Sequence, residues 1–112
     1  MENGYEVMRS KLKKKNDFSA VFAISDTMAI GALKALREQG VRVPEDISVV
    51  GYDGIDIGTF VAPTLTTISQ PFEEMARKTC EILFDVIRHG AKHRKVIMDA
   101  TIVERESTCR IK

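Results

Sequence analysis

The sequence predicts an α/β fold organised around a mainly parallel sheet. Short, continuously apolar runs bounded by polar residues alternate with longer stretches whose apolar residues recur at helical spacing. These segments follow in the order helix, strand, helix, strand, strand, helix, strand. One strand, helix, strand succession fits within roughly 35 residues, the size of a parallel βαβ crossover.

Tyr5, Met8 and Leu12 fall at i, i+3 and i+7, the stripe of a helix with one buried face running to Lys15, and Asn16-Asp17 stop it. Ser19 to Ile24 is short and apolar throughout, as expected of a strand buried on both sides. Ser25 and Asp26 are both good N-caps, and Met28, Ala29, Ala32, Leu33, Ala35 and Leu36 trace the helix that follows until Gly40 ends it. Pro44-Glu45-Asp46 makes a turn, and Ile47 to Tyr52 reads as a second buried strand closing in Asp53-Gly54. Leu65 to Ser69 is a third strand between Pro63 and Pro71, and Pro71 suits a helix start. The last helix shows Phe72, Met75, Ala76, Thr79, Leu83, Val86 and Ile87 along one face and ends at His89-Gly90. Ala91 to Lys95 is linker-like, and Val96 to Glu104 alternates as a strand without a clear inner side. The order begins on a helix with no strand before it.

Composition narrows the function. The chain has 112 residues, room for one domain or part of one. Its 17 Lys and Arg against 16 Asp and Glu give a net charge of +1, which supplies no field to draw a polyanion. The basic run from Lys11 to Lys15 reads as a solvated helix end. No apolar stretch is long enough to span a bilayer, and the N-terminal residues lack the pattern of a secretory signal. Cys80 and Cys109 lack the spacing of a zinc site or a disulfide framework, which favours a reducing, cytoplasmic setting without metal or cofactor.

Ligands of open parallel sheets bind outside the carboxyl ends of the strands. That rule selects Ser25 and Asp26 after the first strand, Asp53 after the second and Gln70 after the third, all hydrogen-bonding groups suited to a polar small molecule. Each has a plainer reading beside the ligand-binding one. Ser25 and Asp26 can cap the helix, Asp53 can serve the turn before Gly54, and Gln70 can satisfy backbone at a strand to helix junction. No catalytic constellation assembles. His89 and His93 lie beyond the last helix, Cys80 falls on an apolar helix face, and Gly51-Tyr52-Asp53-Gly54 lacks the spacing of a phosphate loop. The sequence therefore points to a binding protein and not to an enzyme.

Four blocks together resemble the C-terminal part of transcription regulators of the LacI/GalR type: Phe22 to Ala32, Val43 to Asp53, Ala62 to Pro71, and Glu104 to Thr108. The resemblance implies a three-layer parallel sheet of the periplasmic-binding-protein-like I class, present as an incomplete C-terminal subdomain. Residues 1–70 would form the subdomain core, 71–92 a helix that packs on the other subdomain in the family, and 93–112 a returning strand and tail. It also implies that Ser25, Asp26, Asp53 and Gln70 line or border an effector cleft, for a sugar or a nucleobase-like or nucleoside-like molecule. Met28, Ile30, Gly31 and Leu33, with Phe60 and Val61, would form a homodimer interface. Operator DNA would be bound only through a helix-turn-helix headpiece outside these residues. Ser25 departs from the family, which often has Asn there. The helix from Phe72 to Arg88 is expected to bury its apolar face on its own unit or on another copy of the chain. The competing function is that of a sugar-binding transport protein of the same fold.

Overall fold

The computed structural model describes residues 1–14, 17–92 and 94–110. Its elements follow the expected order: helix α1 (Glu2–Leu12), strand β1 (Ala20–Phe22), helix α2 (Asp26–Glu38), strand β2 (Ser48–Asp53), a single 3-10 turn (Asp56–Thr59), strand β3 (Thr66–Ser69), helix α3 (Phe72–His89) and strand β4 (Thr101–Val103). The chain divides into two compact units, residues 1–69 with 101–112, and residues 70–100. Gln70 thus opens the second unit, which extends past the linker-like segment to Ala100. Lys15, Asn16 and His93, each part of an expectation above, lie outside the described residues.

In the first unit the four strands form one sheet in the order β1-β2-β3-β4. The first three are parallel, with Phe22 opposite Val50, Val50 opposite Thr66, and Asp53 opposite Ser69. β4 runs antiparallel to β3, pairing Ile68 with Ile102, so the sheet is mixed. The strand expected over Val96 to Glu104 shrinks to three residues, because only Thr101–Val103 find a ladder partner in β3.

α2 forms because its apolar residues recur at helical spacing and Ser25 caps it, accepting from the Met28 amide at 3.3 Å. It lies against β2 and buries Ala29, Ala32, Leu33, Ala35 and Leu36 with Ala23, Ile47, Val49 and Leu65. α1 packs along α2 and contributes Met8. The two helices approach closely through glycines: a methyl group at Gly4 would run into the Met28 carbonyl, and one at Gly31 into the Met1 carbonyl. Beside this glycine contact, the Tyr5 hydroxyl donates to Glu38 at 2.6 Å, which raises the Tyr5 pKa, and the Lys34 ammonium lies over the Tyr5 ring.

The tail after β4 completes the sheet. Ser107 is fully buried; its hydroxyl donates to the Val49 carbonyl at 2.6 Å and accepts from the Thr66 amide at 2.8 Å. The Val49 amide donates back to the Ser107 carbonyl at 2.8 Å. Arg105 donates through Nη1 to the Leu65 carbonyl at 2.8 Å. The Thr64 amide and hydroxyl donate to the Glu106 carboxylate, holding its pKa below the usual range.

The expectation of a first strand buried on both sides does not hold. Phe22 is 58% exposed and Ile24 75%, because α1 and α2 leave the face that carries Phe22, Tyr52, Ile68 and Ile102 uncovered in this unit. Phe22 meets Tyr52 edge to face on it, with ring centroids 6.4 Å apart.

In the second unit, α3 ends on Gly90 in the left-handed conformation, at φ 61°. Its amphipathic stripe is as the spacing predicts, yet none of its residues is buried. Cys80, expected in a core, is exposed and unpaired, as is Cys109. Within the second unit itself the apolar face of Phe72 to Arg88 finds no burial.

Candidate functional site

The parallel strands β1, β2 and β3 bring their carboxyl ends to one edge of the sheet, and Ser25, Asp26 and Asp53 of the first unit follow or end β1 and β2 there. β1 runs through Ala23 and Ile24 into Ser25 and the amino end of α2. The Ser25 hydroxyl is half-buried; besides capping α2 it lies 3.1 Å from the Thr27 hydroxyl. The capping function expected of either Ser25 or Asp26 belongs to Ser25.

Asp53 ends β2, directly opposite Ser69 at the end of β3. Its φ is 120°, a region that strongly favours glycine, and no other described non-glycine residue has a positive φ. Gly54 follows at φ 79° and turns the chain towards the 3-10 helix. Backbone held in sparsely populated conformations is typical of binding and switching sites and persists only where its surroundings fix it. Gln70 follows Ser69 as the first residue of the second unit.

Asp26 does not stand among solvent-facing groups. It is fully buried, and its carboxylate accepts from the Gly54 amide at 2.9 Å, the Ile55 amide at 2.8 Å and the Thr67 hydroxyl at 2.5 Å. With its oxygens so engaged and no accessible surface, Asp26 ties elements together and has no side open to a ligand. Thr67 and Gly51, its neighbours in this arrangement, carry no local signal in the sequence. Thr67 reads as an ordinary β-branched strand residue, and a methyl group at Gly51 would run into the Asp26 carboxylate.

The residues named for a dimer interface divide by exposure. Gly31 is closed off by α1, and Leu33 is buried in the core. Met28, Ile30 and Val61 are partly buried, and Phe60 is 84% exposed. Ile30, Leu33, Lys34, Arg37, Phe60 and Val61 line a shallow groove of about 370 Å³ on the first unit.

Among the described residues, no group of three His, Cys, Asp or Glu side chains converges as a metal site would require, and no helix is long and apolar enough to cross a membrane. At the strand ends of the first unit the arrangement offers hydroxyl and carboxylate groups for hydrogen bonding.

Comparison with known proteins gives this geometry its context. Residues 2–108 match the family model of the periplasmic binding protein-like domain. The chain is 45% identical over 103 residues to the HTH-type transcriptional regulator MalR of Clostridium butyricum, a match that covers 92% of the chain and 31% of MalR. Among solved structures it superposes with a TM-score of 0.90 on a LacI family transcriptional regulator from Enterococcus faecalis with bound ribose, at 35% identity, covering 97% of the chain and 40% of that protein. It superposes with a TM-score of 0.87 on the lac repressor dimer bound to operator and an anti-inducer, at 31% identity, covering 94% of the chain and 37% of the repressor. The chain spans about a third of the length of the curated relatives it matches. It belongs to the periplasmic binding protein-like domain family, and it shares sequence and fold with transcription regulators of the LacI type.

Proposed function

We propose that this chain supplies one wall of the effector cleft of a LacI-type transcription regulator and contributes to its homodimer. The observation that carries the reading is Asp53, held at a positive φ at the carboxyl end of a central strand, level with the capped amino end of α2. Ser25, Asp53 and Gln70 make the effector contacts. Their hydroxyl, carboxylate and amide groups suit a molecule rich in hydroxyl or ring-nitrogen groups, such as a sugar or a nucleobase or nucleoside. The ribose bound in the Enterococcus faecalis relative favours a sugar. Asp26 supports this wall without touching the ligand.

The effector regulates by binding two arrangements of the regulator unequally, which is the only way a ligand shifts such an equilibrium. Operator DNA is bound by a separate part of the regulator, since the charge of +1 gives this chain no field of its own for DNA. The regulator works in the cytoplasm. The groove beside Phe60 takes a second copy of the chain, a reading supported by the dimer of the lac repressor and by an exposed aromatic residue beside apolar α2 residues.

The test is calorimetric titration of the regulator that carries both walls of the cleft with D-ribose and with a purine base. Saturable binding of one of them, weakened at least about tenfold by Asp53→Asn, is expected. Equal affinity in the variant would remove Asp53 from the site, and no binding of either ligand would sink the proposed ligand classes. For the dimer, Phe60→Asp is expected to shift the regulator from dimer to monomer in analytical ultracentrifugation, and an unchanged dimer would exclude this groove.

A further inference from the structure

Asp26 is the only charged residue among those described that is buried. A carboxylate persists in such a place only where its oxygens are satisfied, and the donors here come from separate elements. Oδ2 takes the Gly54 and Ile55 amides of the turn after β2, and Oδ1 takes the hydroxyl of Thr67 in β3. Asp26 is itself the first residue of α2, so one side chain joins α2, the β2 turn and β3. Gly51 leaves the space the carboxylate occupies. The two amides it grips directly follow Asp53, the one described non-glycine residue at positive φ.

We propose that Asp26 is a positioning residue: by gripping the amides of residues 54 and 55 against β3, it holds the Asp53 backbone in its positive-φ conformation. Its importance for recognition rests on the reading in which Asp53 contacts the effector. The mechanical role of Asp26 does not depend on that reading, and it can be examined without a ligand.

The experiment follows the 112-residue chain by NMR, measuring amide exchange at Gly54 and Ile55 and the HN–Hα coupling of Asp53. It compares the parent chain with Asp26→Leu, Thr67→Val, Asp26→Asn and a control, Leu36→Val, which lowers stability from within the α2 core. In Asp26→Leu and Thr67→Val, exchange at residues 54 and 55 is expected to accelerate about tenfold beyond any global change, and the Asp53 coupling to move towards its negative-φ value. In Asp26→Asn both signals should stay near the parent, because the side-chain carbonyl still accepts from the two amides while its NH2 donates to Thr67. Should Asp26→Leu fail to fold, Thr67→Val carries the comparison. An unchanged Asp53 coupling in Asp26→Leu, or in Thr67→Val where Asp26→Leu does not fold, or equal local acceleration in Leu36→Val, would overturn the proposal. Unchanged sugar affinity on Asp53→Asn would instead sink the effector-contact reading and leave this proposal standing.

Discussion

The two units handle similar amphipathic helices in opposite ways. In the first, the apolar stripe of α2 disappears against β2, and Ala29 and Leu36 have no exposed surface. In the second, α3 carries a stripe at the same period, yet Leu83 and Phe84 are each 53% exposed and Ile87 67%. Helical spacing of apolar residues therefore states that a face is made for burial and says nothing about what buries it. A helix whose stability rests on tertiary packing has little of its own when that packing is absent, so the first unit should hold most of the chain's stability.

Substitutions in the two units test this contrast. The largest effect is expected from Leu36→Ala, where loss of a fully buried side chain should destabilise by about 2–5 kcal/mol in urea denaturation. A loss under about 1 kcal/mol would mean that the α2 core is not where the stability resides. Next, Gly31→Ala forces apart α1 and α2 and should destabilise by about 1–3 kcal/mol. Retention of the parent melting temperature would show that the helix pair is looser than its glycine contact implies.

Asp53→Gly should act in the other direction, stabilising the fold by about 1 kcal/mol through relief of the positive φ while weakening effector binding. Destabilisation by this variant would contradict strain at the site. A smaller effect depends on pH. Asp46 accepts hydrogen bonds from the Arg42 side chain and backbone, which lower its pKa to about 2. Because the folded pKa lies below that of the unfolded chain, the stabilisation is present above the unfolded value and is lost as pH falls from about 4 towards 2. Asp46→Asn should accordingly flatten the acid limb of the stability profile over that window, and an unaltered acid limb would discount the pair. The smallest effect is expected in α3, where Ile87→Ser should change stability by less than about 0.5 kcal/mol. A substantial loss there would mean that α3 is packed in solution.

Much of the first unit is legible in the sequence because its cues are local. The period of apolar residues locates α1, α2 and the three parallel strands, and Ser25 and Gly40 bracket α2 as caps should. What escapes is set by residues distant in sequence. A run such as Ser19 to Ile24 does not reveal whether one or both faces are covered, since that depends on which helices lie against the sheet. Alternation from Val96 to Asp99 produces no strand, because a strand needs a ladder partner and only Thr101–Val103 have one. At the candidate site, the strand-end rule selects Ser25 and Asp53 from the sequence, but neither the buried engagement of Asp26 with Thr67 nor the room provided by Gly51 has a local signature. Glu104 to Thr108 is polar enough to read as a surface tail, although Ser107 is fully buried and bonded to both β2 and β3.

That buried serine bears on how the chain is made. Ser107 bonds to Val49 across 58 positions and to Thr66 across 41, and the junction of β2 and β3 lacks these bonds until it arrives. During synthesis the earlier strands emerge from the ribosome well before their last partner does, with an apolar face already exposed. Contacts of such long sequence separation carry a larger loop-closure cost than the pairings made before them, so this serine is among the last groups to be satisfied.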